Sequence, residues 1–290
     1  MQNKIGNKSF IDKTLNDNNL YAKKKFGQNF LKDQNILSKI IEAANLDKDT
    51  LAIEIGPGLG SLTERLCEAA GFVLAYEIDT DLIPILNENL QEHNNFKIVN
   101  KDILEVDINK DLIEYEGKYK KIVLVANLPY YITTPIILGL LENTKKIKKY
   151  VMMVQLEVAD RICGKPKTKD YNALSITIGY RANAYKNFNV PRTVFIPEPN
   201  VDSAVISLDL YEEPKFIAEN EELFFKLIRE SFNQRRKTLI NNLSRAYSKE
   251  LINNMLNEFN IKQNVRSEEL DIKTFVDFSN YIFKNGDKKW

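Results

Sequence analysis

A chain of 290 residues has room for one large or two modest domains with a real core. Its 41 lysines and arginines against 40 acidic residues leave a net charge of +1, so any polyanion-binding surface must be a local patch offset by acidic surface elsewhere. A composition 43% hydrophobic and 28% charged excludes a disordered or collagen-like chain, and no apolar run approaches the roughly twenty residues needed to span a bilayer.

Residues 1–22 carry lysines but no apolar core of a signal peptide, and are expected to form a flexible N-terminal arm on a cytoplasmic protein. From Asp33, a plausible N-cap, Ile36, Leu37, Ile40, Ile41 and Ala44 fall on one helical face. "TLAIEI" (50–55) is a buried strand running into a glycine turn, "SLTERLCEAAG" a helix closed by Gly71, and "FVLAYEID" (72–79) a second strand followed by a helix over 80–92. "FKIVNKDIL" (96–104) and "KIVLVANLPY" (121–130) are the third and fourth strands, and Thr134 before Pro135 starts the helix "PIILGLLEN". Further strands are predicted over 150–157, 174–182 and 202–211, before helix-period segments take over at 221–232, 251–259 and 274–283. The alternation predicts a mostly parallel α/β sheet wound with helices over 23–211, followed by a smaller α-helical domain over 212–290.

Cys67 and Cys163 lie far apart and outside any paired Cys or Cys/His spacing, which argues for two free thiols in a reducing cytosol and against a structural zinc site. His93, the single histidine, sits in the polar stretch "NLQEHNNF" and reads as a solvated helix end, so histidine acid–base chemistry is not expected.

The glycine turn "EIGPGLG" places Gly56, Gly58 and Gly60 where the first strand passes into a helix. Glycines there let the backbone approach a ligand, yet the spacing is neither the dinucleotide G-x-G-x-x-G nor a phosphate-cradling loop. Glu77 ends the second strand, where a carboxylate can accept both hydroxyls of a ribose, and Asp102 follows the third, where one can accept an adenine amino group. Ribose and adenine without a phosphate site point to S-adenosyl-L-methionine, leaving S-adenosyl-L-homocysteine as product.

At the fourth strand end stands "NLPYY" (127–131). A turn needs Asn and Pro but not the aromatic pair. An exocyclic adenine nitrogen is a poor nucleophile because its lone pair is delocalised into the ring. Two acceptors, the Asn127 side-chain oxygen and a backbone carbonyl near Leu128, can hold its two hydrogens and favour the pyramidal nitrogen. Pro129 fixes the turn, Tyr130 offers a stacking face, and Phe195, in the stiff loop "VFIPEPNVDS", is the candidate for the opposite face of a flipped-out base. No metal is required, since alkyl transfer from a sulfonium needs no Lewis acid. Basic residues gather at Lys145, Lys146, Lys148 and Lys149, at Arg161, Lys165 and Lys167, and at Arg235, Arg236 and Lys237, a triplet that on a helix cannot share one face. Together with a base pocket they suggest RNA phosphates.

These motifs resemble the small-subunit (16S) ribosomal RNA adenine N6,N6-dimethyltransferases. The resemblance runs from about Lys24 into the C-terminal domain and rests on "KKKFGQNFL" (23–31), "EIGPGLGSLT" (54–63), "EID" (77–79), "NLPYYITTPI" (127–136), "VFIPEPNVDSAV" (194–205) and "FNQRRKTLINNL" (232–243). It implies a Rossmann-like class I methyltransferase sheet with a helical RNA-binding domain, and dimethylation of two adjacent adenines near the 3′ end of small-subunit rRNA during ribosome biogenesis. The partner would be the small ribosomal subunit or its precursor, met by a monomer with no membrane attachment. Carried across by motif, Gln28, Asn29 and Leu31 look like a flap over the cofactor, Gly56 a turn contact, Glu77 the ribose ligand and Asp102 the adenine ligand, with Ile78 and Ile103 packing nearby and Asn127 bordering cofactor and target amine. The erythromycin-resistance methyltransferases, which modify large-subunit rRNA, resemble the first domain. A methyltransferase acting on DNA or protein glutamine, which commonly carries Asn-Pro-Pro-Tyr, and an assembly factor with dispensable catalysis stay open as rivals.

Overall fold

The structure, a computed structural model, describes residues 5–18, 20–23 and 26–286. It opens with α1 (Lys8–Asp17), capped by Asn7, whose side chain accepts from the Phe10 N–H at 2.8 Å. Ile11, fully buried, packs with Phe30, Leu59, Leu82 and Ile85. The stretch expected to be a flexible arm is therefore a docked helix over 8–17, and burying Ile11 alone stabilises it by about 1.5–3 kcal/mol. Residues 1–4, Asn19, Lys24 and Lys25 of the N-terminal motifs lie outside the described residues.

Next come β1 (Phe30–Leu31), α2 (Gln34–Ala44), β2 (Thr50–Ile55), α3 (Ser61–Ala69), β3 (Phe72–Glu77), α4 (Ile83–Asn89), β4 (Phe96–Asn100), the short α5 (Ile108–Asp111), β5 (Lys121–Asn127), α6 (Thr133–Asn143) and β6 (Ile147–Gln155). Asp33 caps α2 as expected, accepting from the N–H groups of Asn35 and Ile36. All six residues of β2 are buried, as a central strand covered on both faces requires. Gly71 does not cap α3, which ends at Ala69. A Cβ on Gly71 would sit 2.2 Å from the Lys48 carbonyl, so the glycine answers a close backbone approach. Helix α6 begins at Thr133, not at the expected Thr134–Pro135 boundary. Pro135 is tolerated as third residue because first-turn N–H groups have no intrahelical acceptor.

The chain continues through α7 (Leu156–Ile162), α8 (Ala173–Gly179), β7 (Ala182–Val190), β8 (Phe195–Ile196) and β9 (Ser203–Leu210). The strand predicted over 174–182 is largely α8. Its β-branched residues favour a strand, but Asn172 accepts from the Leu174 N–H at 2.8 Å while Ser175 Oγ accepts from the Asn172 N–H at 3.1 Å. That reciprocal cap, with Ile176 and Ile178 buried beneath it, outweighs local propensity. The strand predicted over 150–157 likewise ends at Gln155, where α7 takes over.

Seven strands form one sheet in the order β4-β3-β2-β5-β6-β9-β7, parallel from β4 through β6, with β9 antiparallel to β6. Strands β3 and β4 extend to one side of β2, and the chain then returns to place β5 on the other side. The carboxyl ends of β2 and β5 thus flank the switch point, where such sheets open a crevice for ligands. A separate ladder joins β1 to β8.

Residues 1–159 and 185–210 form one compact unit; 160–184 and 211–290 form the second. The second takes in more than the predicted 212–290, because Tyr171, Ile176 and Tyr180 belong to its core with Phe224, Phe275 and Phe278. It carries α9 (Glu221–Ser231), α10 (Leu239–Leu243), α11 (Lys249–Glu258) and α12 (Ile272–Asn285). Asn220, Thr238, Ser248 and Asp271 cap them in turn, each accepting a first-turn N–H. Among the described residues no helix is long and apolar enough to cross a membrane.

Candidate active site

One cavity in the first unit gathers the carboxyl ends of β2, β3 and β5, the segment after β4 and the segment 26–31. Among the residues singled out from sequence, Gln28, Asn29, Leu31, Gly56, Gly58, Glu77, Ile78, Asp102, Ile103, Asn127, Leu128, Pro129 and Tyr130 line it. Gly60 and Phe195 do not.

The glycine turn works by two different means. Gly56 (φ +69°) and Gly58 (φ +60°) hold the left-handed conformation that side chains resist. A Cβ on Gly56 would meet nothing within 4 Å, so the backbone is bare toward open space, the form of a ligand cradle. Gly60 (φ +92°) instead backs onto Leu86, 2.9 Å from where its Cβ would be, so its role is packing α3 against α4.

Glu77 is buried at the end of β3, its oxygens accepting from the Gly58 N–H at 3.1 Å and the Asp79 N–H at 2.8 Å. Burial raises its pKa and those two N–H groups oppose the rise. A carboxylate has about four lone-pair sites, so two stay open to hydroxyls of a ligand. Asp102 lies two residues past β4, one oxygen held by the Leu104 N–H at 3.0 Å. Ile78, 40% exposed although apolar, and Ile103 supply greasy walls on either side.

Asn127, the last residue of β5, donates from Nδ2 to the Asn29 carbonyl at 3.1 Å. That bond fixes the amide orientation and frees Oδ1 to accept elsewhere. The loop behind it is braced: the Leu128 N–H donates to the Met153 carbonyl at 3.1 Å, and Thr133 Oγ1 to the Pro129 carbonyl at 2.9 Å. The Tyr130 ring lines the cavity with its hydroxyl pinned to Ser203 Oγ at 2.7 Å. Phe195, expected to oppose Tyr130, is 1% exposed and packs into the core under the β1–β8 ladder, across from Leu31. Its size and β-pairing make it a core anchor here, and Tyr131, 56% exposed at the cavity, is the second aromatic of the lining loop.

Three site residues escaped the sequence reading. Glu54 is 1% exposed within β2 and lines the cavity, and burial pushes its carboxyl up to about 8. The nearby Thr63 hydroxyl offsets burial only in part, since neither that oxygen nor Glu54 Oε2 has a partner in good hydrogen-bond geometry. An ionisable residue inside the otherwise apolar run 51–55 was the available signal. Asp79 and Lys23, described below, are the others.

The basic residues separate into different places. Lys145, Lys146, Lys148 and Lys149 lie at the start of β6, the end of the parallel sheet opposite the cavity, and Lys146 and Lys149 face Glu116 and Asp209. This run does not adjoin the base pocket. In the second unit, Arg235, Arg236 and Lys237 lie in the turn between α9 and α10, not on a helix. Arg235 donates to the Lys169 carbonyl and pairs with Glu268, whose carbonyl accepts from the Lys167 N–H at 2.8 Å. Loops 163–170 and 232–238 are thereby held together, and Lys165, Lys167, Lys169, Arg236 and Lys237 all stay exposed on them; Arg161, in the last turn of α7, precedes the first of these loops in sequence.

Similarity to known proteins points the same way as this geometry. The chain is 50% identical over 257 residues to the ribosomal RNA small subunit methyltransferase A of Lactococcus lactis, covering 88% of this chain and 87% of the relative. It is 47% identical over 283 residues to the protein of the same name from Lachnoclostridium phytofermentans, covering 96% and 97%. Among solved structures, a dimethyladenosine transferase from Plasmodium falciparum superposes with a TM-score of 0.74 at 27% identity over 88% of this chain and 97% of its own. The 23S rRNA methyltransferase ErmE gives 0.68 at 27% identity, covering 88% and 100%. The sequence profile of the ribosomal RNA adenine dimethylases matches residues 19–284, from the segment beside the cavity through α12 almost to its end. The chain belongs to the ribosomal RNA adenine dimethylase family.

Proposed function

We propose that this protein transfers methyl groups from S-adenosylmethionine to the exocyclic N6 of adenines in small-subunit ribosomal RNA, two groups to each of two adjacent bases. The observation that carries the reading is the meeting of Asn127–Tyr130 with Glu77 and the bare Gly56 turn in one cavity at the switch point of the sheet.

The donor set fits the cofactor. Glu77 takes the ribose hydroxyls, Asp102 the adenine amino group, Ile78 and Ile103 the ring faces, and Gly56 lets the chain run close. Asn29 and Leu31 cover the same cavity, while Gln28, whose amide is already engaged at both ends, contributes through its backbone and placement. S-adenosylmethionine, when bound, supplies a methyl group made electrophilic by its sulfonium. Asn127 Oδ1 and the Leu128 carbonyl accept the two hydrogens of the target amine, which localises the nitrogen lone pair and aims it. This is electrostatic alignment, worth roughly 10²–10³ in rate for a single well-placed group. Tyr130 stacks on the flipped base, contributing about 1–3 kcal/mol, with its ring held by Ser203. The joined basic loops of the second unit, the helical RNA-binding region of this reading, neutralise phosphates.

The small-subunit choice rests on the names of the relatives at 47–50% identity over nearly their whole length. Incubating the protein with labelled S-adenosylmethionine and either small or large ribosomal subunits that lack the modification, then separating nucleosides, tests it. Label in N6,N6-dimethyladenosine from the small subunit is the expected result. Label only in large-subunit RNA would overturn the choice of substrate.

A further inference from the structure

Lys23, Gln28 and Asp79 form a network that leads from the segment over the cavity to the cofactor carboxylate, and of the three Gln28 alone lines the cavity. Asp79 is 2% exposed, an unusual place for a carboxylate unless it is paired. Its Oδ1 accepts from Lys23 Nζ at 2.6 Å and its Oδ2 from Gln28 Nε2 at 2.8 Å. The Gln28 side-chain oxygen accepts in turn from the Lys23 N–H at 2.8 Å, closing a ring of three residues. Lys23 Nζ reaches Asp81 as well, also at 2.6 Å. On its other side, Asp79 donates its own N–H to Glu77 Oε1 at 2.8 Å, and Glu77 receives the Gly58 N–H. Asp79 itself is not among the cavity-lining residues, whereas Gln28, Glu77 and Gly58 are.

The segment fastened in this way carries the cavity wall. Residues 26–31 all line it, and Asn29 in that segment receives the Asn127 amide. The far end of the segment, residues 29–31, is held by the Asn127 bond, the two-residue β1–β8 ladder and the burial of Phe30 and Leu31, whereas Gln28 is tied down through its bonds to Asp79 and Lys23. Short ladders of this size are weak on their own. Charge-assisted bonds into a buried acceptor hold the Gln28 end of the segment.

We propose that Asp79 is a positioning residue for the cofactor: its buried carboxylate clamps Lys23 and Gln28, and through them residues 26–31, against the strand end that presents Glu77. The clamp rests on the reading of the cavity as an S-adenosylmethionine site and deepens it. Holding the wall in place lowers the ordering cost of binding, so the clamp acts on cofactor affinity and residence and leaves the methyl-transfer step to Asn127.

Asp79→Asn in the full-length protein isolates the clamp, because an asparagine still caps the 3-10 turn at Thr80–Leu82 while losing the charge and one acceptor. The KM for S-adenosylmethionine is expected to rise about tenfold with kcat at saturating cofactor within about twofold, as for loss of one charge-assisted bond. Gln28→Ala should raise KM by a similar factor, and the double variant should be no worse than either single one, since both break the same link. S-adenosylhomocysteine should slow amide hydrogen exchange over 26–31 in the wild type and fail to do so in Asp79→Asn, a difference that general destabilisation does not produce. Lys23→Met, a change at a partly exposed site, should shift KM in the same direction. A wild-type KM in Asp79→Asn, or single-variant effects that multiply in the double variant, would overturn the clamp. A wild-type protein that binds no S-adenosylmethionine at all would overturn the cavity reading and the clamp together, so the two failures are distinguishable.

Discussion

Glu54→Gln should make the protein more stable, by an amount that grows with pH. The Glu54 carboxyl ionises near 8 in the native chain against about 4.5 for an ordinary glutamate, because burial in β2 penalises its charge and the neighbouring Glu77 adds repulsion. Between those values the native state holds a proton that the unfolded chain has released, so stability falls as pH rises through the window. At 1.36 kcal/mol per pH unit the full loss is about 4–5 kcal/mol above pH 8 and about 3 kcal/mol at pH 7. Glutamine has the shape of the protonated acid and cannot ionise. Its advantage should be near zero at pH 4.5–5 and reach those figures at pH 7 and 8–9. Hydrogen exchange of the β2 amides in urea, from pH 5 to 9, reads the first unit directly. An advantage that stays constant across that range would show that Glu54 is already ionised at pH 5 and would refute the burial argument.

Other expected outcomes follow from the same geometry. Gly56→Ala places a methyl group in the cradle and costs about 1–2 kcal/mol in its left-handed conformation; calorimetry should show S-adenosylmethionine affinity falling more than thermal stability does. Tyr130→Phe removes only the Ser203 bond, worth about 0.5–1.5 kcal/mol, whereas Tyr130→Ala removes the stacking face and should raise the KM for RNA by tenfold or more, and equal effects would place the base elsewhere. Arg236→Ala with Lys237→Ala should flatten the dependence of log affinity on log salt by about 1–2 in slope if both meet phosphates, while Lys145→Ala with Lys148→Ala, at the far end of the sheet, should leave the slope unchanged.

Much of this site was readable from the chain because strand ends in a parallel sheet converge whatever the loops do. Once "TLAIEI", "FVLAYE" and "KIVLVAN" are assigned as parallel strands, Gly56, Glu77 and Asn127 must come to one edge, and they do. What local pattern missed was decided by partners distant in sequence. Helix α1 has only a sparse apolar stripe, and its reason to exist is the hollow formed by Phe30, Leu59 and Leu82. Helix α8 reads as a strand until Asn172 and Ser175 are seen capping each other. Phe195 shares the stiffness expected of a stacking residue, yet pairing of β8 with β1 turns it into the core. The role of Asp79 was hidden because its partners, Lys23 and Gln28, lie more than fifty positions away.

The measurement closest to the central claim is single-turnover methyl transfer to small subunits at saturating S-adenosylmethionine, wild type beside Asn127→Ala. The account predicts N6,N6-dimethyladenosine from the wild type and a rate about 10²–10³-fold lower in the variant. A variant that methylates at the wild-type rate would contradict it, since the amine would then be held by something other than the end of β5.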